Sequence, residues 1–430
     1  MAPLIAPVTT STELPVRTEV VIIGGGIVGL SAALTLAERG IPVTVLEKGR
    51  IAGEQSSRNL GWVRKTSRAA ADIPLALAAD RLWQEMPART GMDVGYRREG
   101  ILFCARTEAE MAAHEAWAAS VAGLGLGARL LSPREIAALV PGGAANWIGG
   151  VTTPSDGRAE PTLASSAIAK AALAKGAVIV ENCAVRGLTT QAGRVSGVMT
   201  ERGEIACAQV LLAGGLWSRR LLGNHGISLP TLPLICSAFR TEPMEGPSEA
   251  GVAGPDFSFR KHIDGGFVIT QRAALSCPLV LDHLLLGHRY LSTLKATAGL
   301  LRITLNRQSL DDLRLARRWR MDRVSPFEKT RVMDPPTLPA LNAEALDNLS
   351  RAWPVFKDAK IAQGWAGVMD ITPDSHPVIG PVASLPGLVL ATGFSGHGFG
   401  TGPAAGQLAA DLVTGAAPLV DPHPYRFDRF

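Results

Sequence analysis

Apolar residues cluster along this chain with two different periods, and each predicts an element. A short run of strand formers covers 19–23 and enters Gly24-Gly25-Gly26-Ile27-Val28-Gly29. Apolar residues then recur at helical spacing over 27–38, and Gly40 stops the helix. A second strand covers 43–46 and ends at Glu47. The outcome is a compact strand–turn–helix–strand unit. Residues 1–17 read as a flexible lead-in. Residues 75–145 are Ala-rich and read as helices, with one strand over 101–105. The pattern continues with a loop over 149–157, a helix over 164–175, and strands over 177–180, 195–199 and 209–213. The last of these closes on Gly214-Gly215. Between about 225 and 355 the patterning changes, with a β-rich part near 257–270 and helical parts after it. Residues 362–417 are Gly-rich and finish in a helix.

A chain of 430 residues exceeds one ordinary core, so two domains are expected; 47% apolar residues supply enough material to bury them. The net charge of +5 is spread out and aromatics are only 5%, which speaks against nucleic acid as a partner. The five cysteines (Cys104, Cys183, Cys207, Cys236 and Cys277) form no CxxC pair and no zinc-like cluster with histidine. No metal is expected, and free thiols in a reducing cytosol are. The N-terminus lacks the basic start and apolar core of a signal peptide, and no apolar run reaches transmembrane length. The most apolar stretch, 275–301, is interrupted by Asp282, His283, His288, Arg289 and Lys295. It reads as a substrate-domain helix, with a helix lying on a membrane surface as the alternative. The expected location is cytoplasmic, with peripheral contact at the inner face of the membrane as the second option.

The glycine turn carries chemistry. Gly24 permits the tight turn, Gly26 leaves room for a pyrophosphate, and Gly29 lets the helix approach the sheet. The helix start at Ile27 and Val28 points its free N–H groups at the diphosphate, and Glu47 accepts from ribose hydroxyls. A carboxylate there repels a 2′-phosphate, which argues against NADP. Two later segments favour FAD over NAD. One is the apolar strand ending in Ala213-Gly214-Gly215. The other is Leu388 to Gly402, where a strand, a glycine-dense turn and a helix start could stabilise charge on a reduced flavin.

With these motifs on view, the chain resembles the D-amino-acid oxidase family of flavoproteins, which includes glycine oxidase, sarcosine oxidase and D-amino acid dehydrogenases. The resemblance covers nearly the whole length. It rests on VVIIGGGIVGL, VLEKG, SSRNLGW, LLAGGLWS, ITPDSHPVIG and ATGFSGHGFGTGPAAG. It implies an α/β fold in which a Rossmann-type FAD-binding domain (18–70, 150–220 and 360–420) is interleaved with an antiparallel-sheet α+β substrate domain (71–149 and 221–359). By the same resemblance Glu47 and Lys48 flank the ribose and Val185 meets adenine. Ser56, Ser57 and Asn59 lie beside the isoalloxazine, and Gly396, His397, Gly398, Phe399 and Gly400 border its pyrimidine edge. Two departures stand out. No Cys precedes Thr372-Pro373-Asp374, so FAD is expected to be non-covalent. The Arg that relatives place there to clamp a carboxylate is also missing. Arg260 is the substitute expected, with Arg64 behind it; Trp365 and His397 are further substrate-site candidates.

The implied reaction is oxidation of the CH–NH bond of a small amino acid or N-substituted amino acid. Hydride passes to flavin N5, and the resulting imine hydrolyses. Oxygen or a quinone is the expected electron acceptor, and homo- or hetero-oligomers are both open. The alternatives are a 2-hydroxy acid or other alcohol dehydrogenase, and a flavin-binding subunit of a larger dehydrogenase.

Overall fold

Val20–Ile23 has no turn former within it and sits near the middle of a six-stranded sheet, almost wholly buried. The computed structural model describes residues 2–430. Across this sheet the strands run Val378–Pro381, Leu388–Thr392, Gln209–Leu212, Val20–Ile23, Val43–Leu46 and Val178–Val180. All neighbours are parallel except the first pair, which is antiparallel. Strands far apart in sequence therefore become neighbours, and their C-terminal ends share one edge.

The helix Ile27–Glu38 is small and apolar all round, and only Glu38 escapes burial. Such a helix packs on every side. One of its neighbours is the C-terminal helix Gly398–Thr414, and the two backbones nearly touch. A Cβ on Gly406 would fall 2.6 Å from Ser31 Cβ and from the Val28 carbonyl, and one on Gly402 would fall 3.0 Å from Ile27 Cγ2.

The second layer is a ten-stranded, mostly antiparallel sheet. Its centre pairs Leu232–Thr241 with Phe267–Gln271 on one side and with the long strand Ile361–Ile371 on the other. Two of its strands come from stretches assigned above to the cofactor domain. Ile361–Ile371 belongs to the large sheet, and so does Gly149–Thr153, which was expected to be a loop. Gly150 explains the second case: its Cβ would lie 2.6 Å from the Phe103 carbonyl, so only glycine lets the strands meet. Residues 275–301 are not one helix. They begin with the strand Leu275–Pro278, followed by the short helices Leu281–Leu286 and Leu291–Thr297.

The lead-in also differs from expectation, apart from Met1, which lies outside the described residues. Ala6 and Ser11 donate to the carbonyls of Thr162 and Ile179, Thr18 donates to Ala206, and Ile5 and Val8 pack on the core. Apolar residues spaced through 1–17 give this segment something to bury.

Helix contact through Gly406 makes a sharp prediction. Gly406→Val should lower the stability measured by chemical denaturation by about 2 kcal/mol or more, because the added atoms meet backbone rather than a movable side chain. A change below ~0.5 kcal/mol would show that the helices can separate freely.

Candidate cofactor and substrate site

The glycine turn is built as its spacing requires. Gly24 holds φ at +110°, and a Cβ there would lie 2.5 Å from the Ala213 carbonyl. A Cβ on Gly29 would lie 2.2 Å from the Gly24 carbonyl, so helix and turn can close only over glycine. Ser56 Oγ accepts the Ile27 N–H at 2.9 Å, tying a distant segment to the helix start. Glu47 accepts the Gly25 N–H at 2.9 Å on one oxygen and the Gly49 N–H at 2.8 Å on the other. Burial pushes its carboxyl up, against the pull of Lys48 and these two amides.

A long cavity starts beside this turn. At one end Glu47, Lys48, Val185 and Trp217 form its walls. It passes Gly24, Gly26, Ile27, Val28, Ser56 and Gly214, and reaches Asn59, Gly396, Gly398 and Phe399. The floor at that far end is the large sheet, through Cys236, Ala238, Thr270 and Met369. The glycine turn and the start of the C-terminal helix thus open onto one space, each with free N–H groups and the positive end of a helix dipole.

Gly29, Ser57, His397, Gly400, Arg260 and Trp365 are not on the cavity lining. Gly29 and Gly400 act on packing; a Cβ on Gly400 would lie 2.6 Å from the Trp62 carbonyl. Ser57 is buried, with Oγ 3.4 Å from the Glu54 carbonyl. Trp365 is a core residue whose Nε1 donates to the Arg58 carbonyl at 2.8 Å. His397 caps the C-terminal helix with Nε2 3.3 Å from Arg64, and its buried Nδ1 has no partner among the described residues. Burial, then Arg68 and Arg64, hold its pKa well below normal, so the ring is neutral.

Arg260 needs correction. It is 1% exposed, and Glu160 takes both ends of its guanidinium, at 2.5 and 2.8 Å. Its Nε donates to the Leu60 carbonyl at 2.5 Å. No donor face remains for a substrate carboxylate. Glu160 lies a hundred residues upstream, so no local pattern signals the pair.

Sequence reasoning missed several residues. Glu54 accepts from Lys48 Nζ at 2.8 Å, from Trp217 Nε1 at 3.0 Å and from the Met333 N–H at 2.9 Å, so segment 330–333 is strapped across the Glu47 end. Arg272 lies in the bend just past the end of the strand Phe267–Gln271, half-buried and two positions beyond the cavity-lining Thr270. Among the described residues its guanidinium makes no ion pair and no hydrogen bond, only a contact 4.7 Å from the Phe103 ring centre. Burial lowers its pKa to about 10. Arg64 lies over the same ring at 5.6 Å, and burial, Arg68 and Arg272 push it to about 9. The available signal was a second Arg one strand-length beyond Arg260.

This arrangement defines a protein that binds a dinucleotide along one sheet edge, with the large sheet as the floor at the far end of the cavity. The chain belongs to the DAO family, the FAD dependent oxidoreductases, whose model matches residues 19–412. It is 28% identical to glycine oxidase of Pseudomonas putida over 423 residues, covering 95% of this chain and 97% of that one. An L-amino acid deaminase from Proteus vulgaris matches with a TM-score of 0.93 and 34% identity, covering 98% of this chain and 100% of that one. The deaminase from Proteus myxofaciens, solved with anthranilate, matches with a TM-score of 0.95 and 32% identity, covering 100% and 97%. The protein is therefore an FAD-dependent enzyme, and the glycine-cleared turn, the two helix starts and the long cavity suit that cofactor.

If Arg260 is structural, Arg260→Met strands the buried Glu160 charge and should cost about 3 kcal/mol or more of stability. The KM of whatever protein folds should stay unchanged. A raised KM with unaltered stability would return Arg260 to the substrate site.

Proposed function

We propose that the enzyme oxidises the carbon–nitrogen bond of an amino acid or N-substituted amino acid whose carboxylate is held by Arg272, with Arg64 beside it. The observation carrying this reading is a pair of neighbouring guanidiniums, one of them without any protein anion or hydrogen-bond acceptor. A half-buried guanidinium without a protein partner keeps its fork available to an anionic ligand. Relatives named for glycine and for L-amino acids, and the carboxylate in the Proteus myxofaciens structure, support the same substrate class.

FAD, when bound, would supply the acceptor for one hydride, which carries both electrons of the oxidation. The protein's part is placement. Arg272 presents its planar fork to the carboxylate and so fixes which substrate carbon faces the cavity. Leu60, Ala238 and Met369 make that end of the cavity apolar and exclude water. A neutral His397 adds no third positive charge beside Arg64. The substrate nitrogen enters unprotonated, its lone pair forms the imine as hydride leaves, and water completes the hydrolysis. Cys236 lines the cavity with a thiol pushed up to about 11 by burial, so it stays protonated, which favours non-covalent FAD. The acceptor that returns the flavin to its oxidised state is oxygen or a quinone.

Peripheral membrane contact has its own support. Leu284 and Leu291 are 79% and 60% exposed, His288 and Lys295 between and after them are exposed too, and Leu286 and Tyr290 are buried. An apolar and basic outer face suits an anionic lipid surface.

Anaerobic titration of the yellow protein with amino acids and N-alkyl amino acids should bleach the flavin, and hydroxy acids should not. Arg272→Met should raise KM by about 100-fold while FAD content stays intact. Bleaching by hydroxy acids alone, or an unchanged KM, would sink the reading. In sedimentation with vesicles, the protein should pellet with phosphatidylglycerol and not with phosphatidylcholine, and Leu284→Gln/Leu291→Gln should abolish this. Equal recovery in both supernatants would remove the membrane from the account.

A further inference from the structure

Asp370 stands near the end of the strand Ile361–Ile371, on the wall of the cofactor cavity, and is 1% exposed. Its Oδ2 accepts the Gly393 N–H at 2.8 Å and the Thr392 hydroxyl at 3.3 Å. Its Oδ1 is equally buried but takes no hydrogen bond among the described residues. The Gln55 side chain lies beside the carboxylate and pulls its pKa down. Burial without a cation raises its pKa, so the carboxyl sits in a costly position. Buried polar atoms are rarely left unpaired, and one that faces a ligand cavity is completed by the ligand.

The position selects which part of the ligand. Diphosphate belongs at the glycine turn of residues 24–29, and Asp370 lines the cavity past Gly214-Gly215, toward Met369 and Gly396, with the Thr392 hydroxyl between it and the Gly215 carbonyl. The flavin half of FAD reaches that end, and its donors there are the ring N3–H and the ribityl hydroxyls.

We propose that Asp370 Oδ1 accepts a hydrogen bond from a donor on the flavin half of FAD, fixing how deeply the flavin seats and tuning its reduction potential. The inference rests on the FAD assignment and is independent of the substrate. A carboxylate oxygen beside the flavin disfavours added negative charge, so removing it makes reduction easier. Asp370 lies on the strand that carries Met369 and Gly367, so the same bond ties the large sheet to the cofactor.

The test uses the full chain stripped of FAD and reloaded with FAD, with N3-methyl FAD, or with FAD lacking the ribityl 2′-hydroxyl. Binding is read from flavin fluorescence. One analogue should bind at least ~10-fold more weakly than FAD, the methylated ring if N3–H is the donor and the deoxy chain if the hydroxyl is. Asp370→Asn should erase that discrimination and move the midpoint potential of the loaded protein to a more positive value. A purely structural role for Asp370 would change neither the analogue ranking nor the potential. Should the Asn variant not fold, Asp370→Ser keeps a small polar group toward Gly393 and takes its place in both measurements. Equal affinity of the unaltered chain for all three flavins, or discrimination that persists in the variants, overturns the proposal. A chain that binds none of the three breaks the FAD assignment instead.

Discussion

The near-contact of two helix backbones organises this enzyme. Ile27–Glu38 and Gly398–Thr414 cross where Gly402 and Gly406 remove every side-chain atom between them. That crossing aims both helix starts at one cavity, one at each end of a dinucleotide. Positive helix ends are weak individually and are screened in water, so their value depends on being buried together at fixed spacing. A pair of helices held apart by ordinary side chains would not converge in this way.

Around that axis the charges divide into two kinds. Lys48, Arg58 and Arg260 are buried or half-buried and paired, with Glu54, Asp334 and Glu160 respectively. They tie the small sheet to segment 330–334 and to the large sheet. Arg272, Asp370 and the Nδ1 of His397 lack such partners among the described residues. Of these, Asp370 is on the cavity lining, and Arg272 follows two positions after the lining residue Thr270. The paired charges tie the two sheets together.

The large sheet is what converts a dinucleotide-binding unit into a substrate site. Its strands Leu232–Thr241, Phe267–Gln271 and Ile361–Ile371 place Cys236, Thr270 and Met369 on one floor, although they lie far apart in the chain.

The amino-acid sequence alone determined the strand–turn–helix–strand unit almost to the residue, because its turn, its strands and Glu47 lie within thirty positions and depend on local sterics. It determined the cofactor class for the same reason. It also carried the glycine-dense start of the last helix, where backbone geometry again demands one residue type. Which arginine is free was decided only by tertiary structure. Arg260 and Arg272 stand twelve positions apart in similar surroundings, and Glu160, brought in from another segment, neutralises one of them and leaves the other. The lead-in, the Gly149–Thr153 strand and the orphaned oxygen of Asp370 were settled in the same way. Each depends on a partner supplied by distant chain, and pairing across such distances leaves no period or spacing to read.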